Sequence, residues 1–124
     1  MSVDQIRPVL EEVAQERLRQ IDKWGHQNHP DGTGPSIDII DDIGYFPGDG
    51  PEAANGWLTD CARSRTDALA KVPGRLTFAH ILTEEWAEAM ETEHPTDLRQ
   101  ELIQVAAVAT SWVEALDRRT GIAL

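Results

Sequence analysis

Two pairs of polar side chains at helical spacing are the residues in this sequence best suited to chemistry. Glu85 and Glu88 lie three residues apart in one segment, and Glu101 and Gln104 repeat that spacing in the next. Residues three apart on a helix share a face, so each pair presents two oxygen-bearing side chains in one direction. If the two segments form neighbouring antiparallel helices, the pairs converge. Carboxylate and amide oxygens at one point are suited to a hard cation such as Mg²⁺.

The surrounding apolar residues predict that these pairs face the protein interior. An arc at about 100° per residue on the first of these helices comprises Phe78, Ile81, Leu82 and Ala89. A stripe on the second comprises Leu98, Val105, Val108, Ala109, Trp112 and Leu116. Glu85 and Glu101 fall within these faces, and Glu88 lies at an edge, whereas Glu84 and Glu91 turn away toward solvent. An inward carboxylate is unfavourable unless it is paired or bound to metal.

A simpler interpretation is that the inward carboxylates lie at a boundary and bond to arginines. Arg63, Arg65 and Arg75 are the candidates for such pairing. With neither metal nor arginine nearby, the carboxylates would repel one another and some would stay protonated. Because several oxygen-bearing side chains share matched spacing, we favour the metal site.

The remaining composition narrows the class of protein. A formal net charge of −11 argues against binding to nucleic acid or to an anionic membrane surface. No apolar run approaches the roughly 20 residues that cross a bilayer, and the N-terminal residues do not resemble a signal peptide. A single cysteine, Cys61, excludes an internal disulfide and favours a cytoplasmic location.

The apolar periodicity predicts an all-α fold in one domain of 124 residues. The predicted helices run from about Pro8 to Trp24, Pro51 to Lys71, Thr77 to Glu93 and Thr96 to Arg119. Pro8 is suited to a first helical position, and a short separate piece before it is capped by Ser2 with Gln5. The residues from about 25 to 50 are rich in Gly, Pro and Asp and predict a long loop. Because the apolar stripes are thin, we expect at least a homodimer.

The same acidic residues give the chain a resemblance to a known family. EEWAE at residues 84–88 followed by ELIQ at residues 101–104 resembles the E-E-x-x-E … E-x-x-D signature of the MazG-like, all-α nucleoside triphosphate pyrophosphohydrolases. ERLRQIDKWGHQNHP at residues 16–30 is similar to the N-terminal part of these proteins. The resemblance implies a four-helix subunit that dimerises or assembles further. It also implies cleavage of a nucleoside triphosphate to the monophosphate and pyrophosphate, with Mg²⁺, or Mn²⁺ in its place.

The resemblance also implies roles for particular residues. Glu85, Glu88 and Glu101 match metal-ligand positions, and Glu84 matches the first glutamate, which is an outer ligand or orients water. The last acidic position of the signature is Gln104 here, whose carbonyl can bind Mg²⁺ but brings no charge.

With Gln104 at this position, two interpretations stay open: an active enzyme, or a protein of the same fold with weakened or lost activity. Asp97, one turn before Glu101, can partly replace the missing charge and border the substrate. The alternative to an enzyme is a nucleotide-binding or interaction protein of the same fold with weakened or lost activity.

Residues at the end of the first predicted helix are candidates for holding the substrate. Trp24 can stack on a base or serve as a core residue at the helix end. Lys23 can contact a phosphate or simply favour the helix C-terminus. His26 and Gln27 can contact base or sugar, and the spacing of His26 and His29 also permits a less favoured zinc site.

Overall fold

The computed structural model describes residues 1–34 and 57–121, without the side chains of Trp57 and Leu58. Its helices are α1 (Val3–Trp24), α2 (Trp57–Ala70), α3 (Phe78–Met90) and α4 (Pro95–Thr120). The described ranges contain these helices and no strand, which confirms the all-α class there. The predicted start of the second helix at Pro51 and most of the predicted loop lie outside the described residues. None of the described helices is long and apolar enough to cross a membrane.

The first helix starts earlier than the sequence predicted. It begins at Val3, so the expectation of a separate capped piece and a start at Pro8 was wrong. The backbone N–H of Ser2 donates to Oε1 of Gln5 at 2.7 Å, and this cap begins the helix. Pro8 then lies inside it, where its fixed φ fits a helix but it has no backbone N–H to donate to the carbonyl one turn earlier.

The third helix ends earlier than predicted, and the fourth follows at once. The backbone N–H of Glu91 donates to the Ala87 carbonyl at 3.1 Å and closes α3 at Met90, so Glu93 lies outside the helix. Pro95 is the first residue of α4, and Nδ1 of His94 accepts from the Thr96 backbone N–H at 3.2 Å. This short connection makes α3 and α4 neighbours.

Helix α3 lies between two others, because it packs against α2 and α4, while α4 also packs against α1. The expectation that Glu84 and Glu91 face solvent was therefore wrong. Glu91 accepts a hydrogen bond from the backbone N–H of Thr59 on α2, and Glu84 is half-buried. A helical wheel shows the most apolar face of a helix, but it does not show a second neighbour.

Small side chains dominate the core. The buried apolar residues are Val13, Ala62, Phe78, Ala79, Ala87, Ala89, Ala107, Val108 and Ala115. On α4 the buried face comprises Ala107, Val108, Ser111 and Ala115, whereas Ala109 and Leu116 of the predicted stripe are exposed. Alanine and serine allow two helices to approach closely, so this face turns inward although its side chains are less apolar than the predicted ones.

Larger apolar side chains stay on the outer surface of α1 and α4. Val9, Leu10 and Leu102 are 48%, 52% and 47% exposed, respectively. Burying this surface against a second copy would be favourable, and homodimerisation stays a prediction.

The segment after α1 is held against the start of α3 and the end of α4. The carbonyls of Pro30 and Asp31 accept from the backbone N–H groups of Phe78 and Ala79, at 2.9 and 3.1 Å. These bonds satisfy two donors that a helix N-terminus leaves unpaired. The backbone of Gly32 lies close to the side chain of Thr77. A Cβ added at Gly32 would lie 2.5 Å from Oγ1 of Thr77.

Asp31 connects this segment to α4, because its Oδ1 accepts from Nε1 of Trp112 and Nη1 of Arg119, both at 2.8 Å. We expect Asp31→Ala to lower the free energy of unfolding by about 1–2 kcal/mol, since both donors lose their acceptor. Urea denaturation measures the change. Asp4→Ala is the control, because its carboxylate pairs only with exposed Arg7 at 2.7 Å in the hydrogen bonds of the described residues. An equal effect of the two substitutions would contradict this role.

Candidate metal centre

Three glutamates from neighbouring helices meet at the contact between α3 and α4. Glu85 and Glu88 come from α3 and Glu101 from α4, and each offers a carboxylate oxygen within 4.8 Å of those of the other two. Within residues 1–34 and 57–121 this is the only group of three or more His, Cys, Asp or Glu side chains close enough to share an ion. The structure thus brings together three of the predicted ligands.

In the acidic cluster, which comprises Glu85, Glu88 and Glu101, the surroundings of Glu85 and Glu101 favour retention of their protons. Burial raises the pKa of Glu85 to about 7, and the negative charges of Glu88, Glu101 and Glu84 add to the shift. Partial burial raises the pKa of Glu101 as well, followed by the charge of Glu88. The pKa of Glu84 is also raised, chiefly by burial. A cation at the cluster would relieve this repulsion.

An arginine from α2 partly neutralises the cluster. Nη2 and Nε of Arg63 donate to Oε1 of Glu88 at 2.7 and 3.2 Å, and Nε lies 3.8 Å from Oε1 of Glu84. The interpretation that these glutamates pair with arginine is therefore correct for Glu88. Glu88 is thus both a predicted metal ligand and the hydrogen-bond partner of Arg63.

The cluster lies between two openings. On one side, Glu84, Glu85 and Gln104 line a pocket of about 390 Å³, which all four helices border. On the other side, Glu88 and Glu101 line a cleft of about 300 Å³. We call these the four-helix pocket and the arginine cleft, because Arg63 borders the second.

The predicted substrate-binding residues divide into those at the pocket and those away from it. Trp24 and Gln27 line the four-helix pocket, and Trp24 is 57% exposed, so it is not a core residue. Nζ of Lys23 lies 4.6 Å from the Trp24 ring centroid. His26 is exposed and does not line this pocket. Asp97 is exposed, and its charge contributes to the raised pKa of Glu101.

The histidine pair does not form a zinc site within the described residues. The rings of His29 and Phe78 pack nearly perpendicular to each other, with centroids 5.2 Å apart, and burial lowers the pKa of His29. No His or Cys side chain joins it in a group of possible ligands among these residues.

Among the pocket residues that the sequence analysis missed, two carried a signal in the sequence. Gln20 lies one turn before Trp24 on α1, so the two share a face of the pocket. Ser111 is a polar residue on the buried face of α4 and also lines the pocket. Arg63 was considered only as a counter-charge, and its position in the arginine cleft depends on how α2 packs.

Comparison of the chain with protein-family models, curated proteins and solved structures gave no match. The MazG-like resemblance stays a prediction from short motifs. The fold and site together define a helical protein with an acidic cluster between a pocket and a cleft.

Proposed function

We propose that this protein is a Mg²⁺-dependent, MazG-like nucleoside triphosphate pyrophosphohydrolase. It would cleave a nucleoside or deoxynucleoside triphosphate to the monophosphate and pyrophosphate. The observation that carries the proposal is the convergence of Glu85, Glu88 and Glu101 beside a pocket that contains an exposed indole. The order and spacing of the acidic motifs support it.

The side chains at the cluster fit a hard divalent cation. The candidate ligands are all oxygens, which Mg²⁺ and Mn²⁺ prefer over softer metals. Burial chiefly, and then the negative charges of Glu88, Glu101 and Glu84, raise the pKa of Glu85, and a bound cation would offset the repulsion. Glu85, Glu88 and Glu101 would hold the ion, and Gln104, which lines the same pocket as Glu85, would offer a neutral carbonyl.

The proposed reaction uses one water molecule. A bond forms between the water oxygen and the α-phosphorus, the α–β anhydride bond breaks to release pyrophosphate, and a proton of the water is lost to the solvent. A divalent ion held by Glu85, Glu88 and Glu101 would neutralise the triphosphate and lower the pKa of the attacking water. The chain's own contribution is position: Trp24 can stack on the base, and Glu84 can accept a hydrogen bond that orients the water.

A product assay tests the proposal. Purified protein is incubated with each common ribo- and deoxyribonucleoside triphosphate in the presence of Mg²⁺, Mn²⁺ or EDTA. We expect pyrophosphate and monophosphate in equal amounts, only with a divalent metal. Release of orthophosphate instead, or no turnover of any nucleotide, would contradict the enzyme.

A second candidate is a nucleotide-binding protein that does not turn its ligand over. Two features favour it: Gln104 supplies no charge, and Arg63 already neutralises Glu88. Nucleotide binding without pyrophosphate release would be its signature.

The isosteric change Gln104→Glu separates these candidates, because it adds only a charge. We expect Mg²⁺ affinity, measured by calorimetry, to rise on the order of tenfold with the added ligand charge. Gln100→Glu is the matched control, since Gln100 is exposed one turn earlier on α4. An inactive wild type with an active Gln104→Glu variant would favour the second candidate. Equal metal affinity in both variants would show that Gln104 does not contact the ion.

A further inference from the structure

Arg63 is placed so that it can leave its partner. Both of its hydrogen bonds to Glu88 end on the same oxygen, Oε1. The Arg63 side chain is 54% exposed, whereas that of Glu88 is 19% exposed. The guanidinium already borders the arginine cleft and can therefore turn away from Glu88 within it, while the glutamate stays in the cluster. Because the arginine end of the pair is exposed, water can replace its hydrogen bonds to the glutamate when it leaves.

The two openings suit two ends of one ligand. The four-helix pocket contains the indole of Trp24 and apolar side chains such as Ile81 and Val108, which suit a base. The arginine cleft is lined by two glutamates of the acidic cluster, Glu88 and Glu101, and by other polar residues, including Thr59 and Thr92. A nucleotide with its base in the pocket and its α-phosphate at the cluster would direct its terminal phosphates into the cleft.

Most charged residues that line the arginine cleft are negative, so terminal phosphates placed there would need a cation. Asp60, Glu88, Glu91 and Glu101 line it, and all carry carboxyl groups. Among the described lining residues Arg63 is the only cation. A guanidinium binds two phosphate oxygens at once through its planar donors, so it is suited to terminal phosphates.

We infer that Arg63 is paired with Glu88 in the metal-free protein, releases it when a divalent cation binds the cluster, and then binds the terminal phosphates of the substrate and the pyrophosphate product. This inference rests on the proposed function. The two positions of the side chain exclude each other. Arg63 should therefore oppose metal binding and favour phosphate binding. A purely structural ion pair would also oppose metal binding, but it would not favour phosphate binding.

Arg63→Gln tests both effects by binding alone. Mn²⁺ is titrated in the absence of nucleotide, and the free ion is measured by its electron paramagnetic resonance signal. Arg63→Gln should bind Mn²⁺ about two- to fivefold more tightly than wild type, because the competing ion pair is gone. The Mn²⁺-saturated variant should bind inorganic pyrophosphate about tenfold or more weakly, as measured by calorimetry. Arg63→Lys keeps the charge without the planar donors and should fall between wild type and Arg63→Gln for pyrophosphate.

Arg7→Gln is the matched control, because it removes an exposed arginine–carboxylate pair on α1. Looser Mn²⁺ binding by Arg63→Gln, or pyrophosphate affinity equal to that of Arg7→Gln, would overturn the inference and leave the proposed function intact. Wild type that binds no Mn²⁺ would overturn both. If Arg63→Gln fails to fold, Arg63→Lys decides: pyrophosphate affinity equal to wild type would overturn the inference, and weaker binding would support it.

Discussion

Glu101→Gln is expected to reduce Mg²⁺-dependent pyrophosphate release by about 100-fold or more. Loss of an outer contact to a metal ligand typically costs 10- to 100-fold, and loss of a ligand should cost at least the upper value. Glu101 is the residue through which α4 contributes to the acidic cluster, so its replacement leaves only the α3 carboxylates there. The amide keeps the size of the side chain and removes its charge. Initial rates at saturating nucleotide measure the effect.

Melting temperatures with and without Mg²⁺ distinguish lost metal binding from lost folding. In wild type, Mg²⁺ should raise the melting temperature, because only the folded state presents the cluster. In Glu101→Gln this rise should disappear, while the metal-free protein keeps its stability or gains some, since one repelling charge is gone. Glu93→Gln is the control, because Glu93 is exposed and lies outside α3. A Glu101→Gln variant with the wild-type rate would refute a metal-based mechanism at this cluster.

The metal-free protein should lose stability through Glu85 as the pH rises from about 5 to 8. The pKa of Glu85 is about 7 in the folded protein, against its ordinary value of 4.5, chiefly because of burial. Between these values the folded state binds more protons than the unfolded state, so the free energy of unfolding falls with increasing pH. The raised pKa values of Glu101 and Glu84 act in the same direction. Because Glu85 is partly solvated, we expect a loss of about 1–2 kcal/mol.

His29 acts in the opposite direction within part of this window. Burial lowers its pKa below 6.5, so its contribution to stability is present above that value and is lost as the pH falls. His29 is present in both wild type and Glu85→Gln, so its contribution to stability cancels when the two proteins are compared. The difference in stability between the two proteins should therefore grow from pH 5 to pH 8.

Urea unfolding in EDTA at several pH values measures this difference. Glu85→Gln should be the more stable protein at pH 8, and Glu93→Gln should follow wild type. Added Mg²⁺ should reduce or reverse the decline of wild type, since metal binding requires deprotonated carboxylates. Parallel curves for wild type and Glu85→Gln would show that Glu85 is not protonated above its usual range.

The sequence determined the helical class and the convergence of the acidic residues. Spacings of three placed Glu85 with Glu88 on one helix, and the short connection around Pro95 makes the next helix its neighbour. Both signals are local: they depend on the period of the helix and on the length of the turn. The position of Glu101 opposite the other two follows from them.

Tertiary structure alone decided which surfaces of α3 and α4 are covered. Glu84 and Glu91 face α2 because α3 has two neighbours, and Arg63 reaches Glu88 for the same reason. On α4, Ala107 and Ser111 are buried because small side chains allow close approach of helices, whereas apolar periodicity favours the larger residues. A helical wheel shows which face of one helix is the most apolar. How many helices pack against that helix, and how closely, depends on the assembled fold.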